Sequence, residues 1–312
     1  MDGRPAKRKR WILFVLFLLV IVSLITLQKL VRTSSNTVIS PIPDGPMVQN
    51  TPHPKTFNFF RRQKNPDDLL GKINAVIGNN WSDYSIVVED YTSDFLLNVS
   101  EGEIFVAASV NKVPILAALY YYAGKGEIDL NRDVTIQAND IQDYGTGSIR
   151  YDKPGSVYSV KTLAKLMIKQ SDNTAAYILA NHIIGFPKLK TIVSEWGLTQ
   201  TDMVKNTTSN QDTAKLFRMI YDGKIANQAY TQEILSFLKD TDFETRLPAK
   251  LPERVITYHK IGTEAGIVHD AGIVTDGKVT YYIGVFTNGV SEGEEADTLM
   301  ADVSKAIYEY MR

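Results

Sequence analysis

The sequence predicts a mixed α/β (α+β) fold, an antiparallel sheet flanked by N- and C-terminal helices with an all-helical lobe set between its strands. Three observations predict it. Runs rich in Val, Ile, Tyr, Phe and Thr occur at 84–91, 95–99 and 103–107, and return only at 254–259, 267–275 and 279–287. The stretch between, 109–238, is mostly helical in its apolar spacing. Amphipathic segments stand outside the strands at both ends of the domain. Strands from two distant parts of the chain must then share one sheet, and the segment between them forms a second lobe with a cleft at the junction.

Taken in order, the domain opens at residue 65. Asp67 or Asp68 caps a helix running to about Ile77, with Leu69, Leu70, Ile73 and Ile77 on one face. The three strand runs that follow are separated by short polar turns, as in an antiparallel meander. Helical patterns at 110–122, 160–170 and 174–184 come next, interrupted at 139–158 by a loop rich in Asp, Gly and Tyr. Within that loop, 143–148 is placed to form a cleft rim. The three C-terminal strand runs lead into a closing helix at 294–311. No repeat at solenoid periods interrupts this order.

Upstream of the domain the composition changes. Residues 11–27, WILFVLFLLVIVSLITL, carry no charge and would span roughly 25 Å as a helix, enough to cross a bilayer with help from Lys29 and Arg32. A basic tail at 1–10 precedes them, so the expected topology is an anchor at 11–31 with a cytoplasmic N-terminus. An extracytoplasmic linker follows at 32–64, rich in Ser, Thr, Asn and Pro over 33–55, and then the domain at 65–312. No small-x-small cleavage site follows the apolar run, which favours an uncleaved anchor in the cell membrane over a signal peptide.

The whole chain of 312 residues is 44% hydrophobic and 22% charged, as a folded domain requires. Seven basic residues lie in 1–32 against Asp2 alone, which leaves 27 basic and 34 acidic residues beyond it. That acidic remainder has no electrostatic footprint for nucleic acid. With no cysteine, disulfides, thiolate metal sites and a cysteine nucleophile are excluded. His53, His182, His259 and His269 are too scattered for a metal set, and no cofactor is called for.

Chemistry gathers in three motifs. Ser109-Val110-Asn111-Lys112 is an S-x-x-K tetrad at the junction of a strand run and an apolar helix. The tetrad alone says little, because Ser236 to Lys239 repeats it inside a helical run, where the hydroxyl can bond back to its own turn. At a helix start, however, the serine hydroxyl sits in the positive end of the dipole and its amide is free to bind an oxyanion. Lys112 lies one turn on, within reach of that hydroxyl. To serve as base near neutrality its pKa must fall from about 10.4 to 7–8, roughly 3–4 kcal/mol against the charged form. Burial and a second cation are the available means.

The second motif, Ser171-Asp172-Asn173, sits between two helical runs. Its serine can pass a proton to a leaving nitrogen, and its asparagine can hold both a lysine and a substrate amide. The third, His259-Lys260-Ile261-Gly262-Thr263, ends a strand run. Lys260 can neutralise a substrate carboxylate, Gly262 permits close backbone approach, and the Thr263 amide can serve as a second oxyanion donor.

S-x-x-K, S-D-N and a K-T-G-like triplet in this order resemble the class A β-lactamase and penicillin-binding protein superfamily. Ser109 and Ser171 lie 62 positions apart and Ser171 and Lys260 lie 89 apart, similar to the spacing in class A enzymes. The likeness runs from about residue 65 to the end, including the strand 268–274. It implies Ser109 as nucleophile, Lys112 as base, Ser171 as proton shuttle, and Asn173 and Lys260 as substrate-positioning groups. The implied partner is a β-lactam or a peptidoglycan peptide.

Two departures qualify the likeness. Ile261 replaces the triplet's hydroxyl residue, with Thr263 as the possible substitute. The glutamate that activates water in class A enzymes, in an E-x-x-L-N context, has no counterpart: 196–202 runs almost directly into 206–209, and Glu195 falls in the preceding helix. The resemblance therefore implies an acyl-enzyme that is slowly released. It leaves open a β-lactamase, a D-alanyl-D-alanine peptidase and a silent wall-binding module.

Overall fold

The structure, a computed structural model, describes residues 64–291 and 293–312. The expected tail, the anchor at 11–31 and nearly all of the linker lie outside the described residues, among which no helix is long and apolar enough to cross a membrane.

Helix α1 (Pro66–Ile77) is capped by Asn65, whose side chain accepts from Asp67 N at 2.9 Å. This corrects the expected cap at Asp67 or Asp68. Proline suits the first helical position, where no N–H is needed, and this puts the cap one residue before it and leaves both aspartates in the acid-favouring first turn. Leu69, Ile73 and Ile77 are its buried stripe.

The main sheet has five antiparallel strands in the order β2-β1-β9-β8-β7, where β1 is Asp83–Asp90, β2 Leu96–Val99, β7 Ile256–Glu264, β8 Ile267–Thr275 and β9 Thr280–Asn288. Strands from the two ends of the domain meet at the β1–β9 pair, with Val87 opposite Gly284. β8 and β9 are buried along almost their full length because both faces are covered. Val268, Val274, Ile283 and Val285 face α1 and the closing helix α8 (Glu294–Met311), which contributes Met300, Val303 and Ile307. Ala271, Ile273, Tyr282 and Phe286 face the helical lobe. The alternation follows the two-residue period of a strand.

The expected meander stops after two strands. β3 (Ile104–Val106) pairs not with β2 but with β6 (Thr207–Ser209), about a hundred residues further on. Only Phe105 of β3 is buried, so the segment cannot serve as an inner strand of the sheet. It instead carries the chain across to the helical lobe. There α2 (Lys112–Gly124) is buried all round, with Tyr120 fully enclosed, as befits a central helix. Around it lie α3 (Val160–Lys169), α4 (Asn173–Ile178), α5 (Phe186–Glu195), α6 (Asn210–Tyr221) and α7 (Gln228–Leu238). The helix expected over 174–184 divides into α4 and a π-helical turn at Leu179–Ile184, which ends at Gly185. The lobe also holds a small sheet unforeseen in the sequence, β4 (Asp133–Thr135) with β5 (Val157–Ser159).

Candidate active site

The nucleophile candidate is presented by a strained turn. Ala108 has φ of 48°, in the left-handed region that costs a non-glycine residue about 1 kcal/mol or more. The strain persists because the turn is held from both sides: Ala107 N donates to Asn206 O at 2.7 Å, and Asn206 Nδ2 donates to Ala108 O at 3.3 Å. Ser109 follows in a single 3₁₀ turn (Ala108–Asn111) ahead of α2, not in the helix proper. It is partly exposed on a cleft of about 710 Å³ between the sheet and the helical lobe.

Lys112, on the first turn of α2, is 6% exposed. Its Nζ lies 3.1 Å from Ser109 Oγ, 3.0 Å from Ser171 Oγ and 2.7 Å from Asn173 Oδ1, and it also donates to Ser171 O. Burial pulls its pKa down to about 7, partly opposed by the charge of Asp172. Of the two means foreseen in the sequence, burial is the dominant one. An amine at that value exists in both protonation states near neutrality and can take a proton from Ser109 Oγ.

Ser171 is buried, with φ of 55°. The residue that caps α4 is Asp172, whose Oδ1 accepts from Ala175 N at 2.8 Å while Oδ2 accepts from Ile149 N at 2.9 Å. Ser171 is thereby left free of capping and its hydroxyl faces Lys112. The rim loop closes over the motif: Asn173 Nδ2 donates to Tyr144 O at 3.1 Å and Thr146 Oγ1 to Ser171 O at 3.3 Å. Gly147, with φ of 108°, permits this approach, since a Cβ there would fall 2.2 Å from Asp172 Oδ2. Tyr144, Gly145 and Thr146 line the cleft, as the rim reading expected.

Replacing Asp172 by alanine is expected to cost about 2–4 kcal/mol, because two buried N–H groups lose their acceptor. A fall of the urea midpoint without a change of slope measures it.

β7 forms the opposite wall. A Cβ on Gly262 would lie 2.9 Å from Ala107 O and 3.1 Å from Val110 Cγ2, so glycine is what lets β7 reach the Ser109 turn. Ile261 and Thr263 border the cleft. Lys260 is more deeply buried than its expected role required. It is 1% exposed, its Nζ donates to Ile261 O at 3.0 Å and lies 5.7 Å from the Phe243 ring centroid, and it makes no hydrogen bond to Ser171. Burial, with Lys112 as a further cause, pushes its pKa well below the usual lysine range. Lys260 does not itself border the cleft. The cation that does border the cleft here is Arg246, which the sequence reading missed. Its guanidinium donates to Thr263 Oγ1 at 2.8 Å, His269 O at 2.9 Å, Gly262 O at 3.2 Å and Asp297 Oδ1 at 2.7 Å.

Three of the four predicted chemical groups thus converge at one ammonium, and Asn173 joins them. The sequence profile of the Beta-lactamase enzyme family matches residues 68–311. The chain belongs to that family. Within the class A β-lactamase and penicillin-binding protein superfamily its relatives are distant. It is 24% identical over 231 residues to the β-lactamase BRO-1 of Moraxella catarrhalis, covering 67% of this chain and 74% of that one. Among solved structures it is similar to PBP-A at 29% identity and a TM-score of 0.71, covering 78% of this chain and 95% of that one. A variant of PBP-A, also at 29%, has been captured as an acyl-enzyme with penicillin G. A β-lactamase from Sphaerobacter thermophilus shares the fold at 20% identity with a TM-score of 0.73, covering 80% and 97%.

The loop after α5, where a deacylation glutamate was sought in the sequence, is short. Asp202 and Thr207 bridge directly, so residues 203–206 form a tight turn. Met203 and Asn206 of this turn border the cleft, and no carboxylate of the loop does. Asn206 Oδ1 accepts from Asn111 Nδ2 at 3.0 Å, which fastens the turn to the Ser109 segment. Glu195 is the last residue of α5 and is not among the residues that line this cleft.

Proposed function

We propose that this protein is a serine acyl-transfer hydrolase that β-lactams acylate at Ser109. The observation that carries the reading is the Lys112 amine, bonded at once to Ser109 Oγ and Ser171 Oγ and lowered to about 7. In this reading Lys112 takes the proton as Ser109 Oγ attacks the lactam carbonyl. Ser171, in contact with the same amine, returns a proton to the departing ring nitrogen. The amides of Ser109 and Thr263 receive the oxyanion, Asn173 orients the acyl amide, and Gly262 allows the substrate to lie along β7. Arg246 and Thr263 take the substrate carboxylate, with Lys260 a buried contributor behind them.

The short Asp202–Thr207 turn supports slow release of the acyl group, since a positioned base is typically worth about 10²–10⁴ in rate. The same feature favours a second reading, a penicillin-binding D-alanyl-D-alanine peptidase acting on peptidoglycan stems. Either activity fits a domain held outside the cell membrane by the apolar segment 11–31.

Incubation with penicillin G followed by intact-protein mass spectrometry tests the proposal. The expected result is one adduct of the drug's mass, located on the peptide that contains Ser109. Complete absence of an adduct after prolonged incubation leaves a silent wall-binding module as the remaining reading. Hydrolysis of nitrocefin well beyond one equivalent separates a β-lactamase from a penicillin-binding protein.

A further inference from the structure

The loop between α7 and β7 brings Phe243, Thr245 and Arg246 to the cleft. Besides the bonds of Arg246 itself to β7 and β8, it is fastened to the sheet through His259. His259, fully buried on β7, has Nδ1 at 2.8 and 2.9 Å from the two carboxylate oxygens of Asp270 on β8, and Nε2 at 3.2 Å from Glu244 Oε1. Both carboxylates extend to the loop backbone. Glu244 Oε1 accepts from Thr241 N at 2.6 Å and Thr241 Oγ1 at 2.8 Å, and Asp270 Oδ2 accepts from Leu247 N at 3.1 Å. Arg246 lies between these two fastened points.

A carboxylate only accepts hydrogen bonds, so an imidazole with one at each nitrogen must carry both protons to satisfy them. The neutral ring has a single N–H and can hold only one side. We propose that His259 is a positioning residue which, as the doubly protonated ring, joins Glu244 to Asp270 and so holds Arg246 where it binds the substrate carboxylate. The role given to Arg246 rests on the acylation reading above.

The charges around the ring agree with this. Asp270 faces it from β8 and Glu244 from the loop, while Lys260, next to it on β7, feels both Asp270 and Arg246. Lys169 of α3 lies behind Glu244, its ammonium donating to Asp240 O at 3.1 Å. From α7, Glu233 is turned to Lys161 instead. Burial alone would hold the imidazole neutral, but Asp270 and Glu244 outweigh it and raise its pKa to about 9. This is above the unperturbed value, so the clamp is complete at neutral pH and opens as the pH rises through about 9.

Penicillin G acylation of the full chain, resolved into a dissociation constant and an acylation rate constant from about pH 6 to 10, tests the proposal. Glu244→Gln is the informative variant. Glu244 is half-exposed, and glutamine keeps a hydrogen-bonding group opposite Nε2 while removing the charge that holds the second proton. In the wild type the dissociation constant should weaken about tenfold above pH 9. In Glu244→Gln the same weakening should begin about one pH unit or more lower. The acylation rate constant at saturation should be unchanged, as should acylation by p-nitrophenyl acetate, which has no carboxylate for Arg246. Ring ¹⁵N signals of His259 should titrate in step with the dissociation constant.

An alkaline limb owed to Lys260 would stay in place in Glu244→Gln, and that result overturns the proposal. So does equal slowing of both substrates, which is the mark of a loosened fold. A normal adduct with a pH-independent dissociation constant overturns the clamp alone. No adduct in the wild type overturns the acylation reading and the role of Arg246 with it.

Discussion

Ser109→Ala is expected to abolish covalent labelling by penicillin, and Lys112→Met to slow acylation by roughly 10²–10⁴-fold while leaving the fold intact. Methionine fills the space of the lysine stem in a site that is already 6% exposed, but it cannot take a proton from Ser109 Oγ or pass one to Ser171. The Lys112 amine also predicts the pH profile. Its pKa is about 7, so below that value the base is protonated and the second-order acylation rate should fall about tenfold per pH unit. Above it the rate should level off. Stopped-flow acylation with a fluorescent penicillin measures both quantities. A Lys112→Met variant acylated within a few-fold of the wild type would remove the lysine from the mechanism.

Much of this site was legible in the sequence because its parts are local. An i, i+3 pair at the start of an apolar helix fixes the Ser109–Lys112 contact whatever the rest of the chain does. Gly262 was readable for a related reason: only a residue without Cβ fits where an added Cβ would fall 2.9 Å from Ala107 O. The partners that sequence could not supply are those set by tertiary packing. Arg246 stands in the unremarkable run Thr245-Arg246-Leu247, and nothing there announces a buried guanidinium between β7, β8 and α8. Lys260 shows the converse. Its motif was visible, yet that its ammonium is buried, donating to Ile261 O near the Phe243 ring, was not, because side-chain direction along β7 depends on what packs beneath the strand. The β3–β6 pairing was missed on similar grounds, since short polar turns suggest a meander but cannot show which distant strand offers a free edge. The Ser171 left-handed backbone was hidden too, as serine has no special preference for that region.

The short turn after α5 leads to the second large effect. Met203→Glu is expected to convert a persistent acyl-enzyme into one that turns over, raising the deacylation rate by about 10²-fold or more. Met203 is half-buried and borders the same cleft as Ser109. Its turn is bolted to the nucleophile segment through Asn206, which bonds both Asn111 and Ala108 O, so a carboxylate placed there would be held and not swing freely. The apolar side chains that share the cleft wall, Ile115, Ala180 and Phe186 among them, favour a glutamate pKa raised by desolvation, which strengthens it as a base as long as it remains ionised near neutrality. Acylation should change little, because Lys112 and Ser171 are untouched. Met203→Gln is the matched control, adding the same volume and polarity without a base. Loss of bound drug over time, followed by mass spectrometry, should be fast in the glutamate variant and slow in the wild type and the glutamine variant. If all three lose the drug at the same slow rate, the turn does not face the acyl carbonyl, and slow release has a cause other than the missing carboxylate.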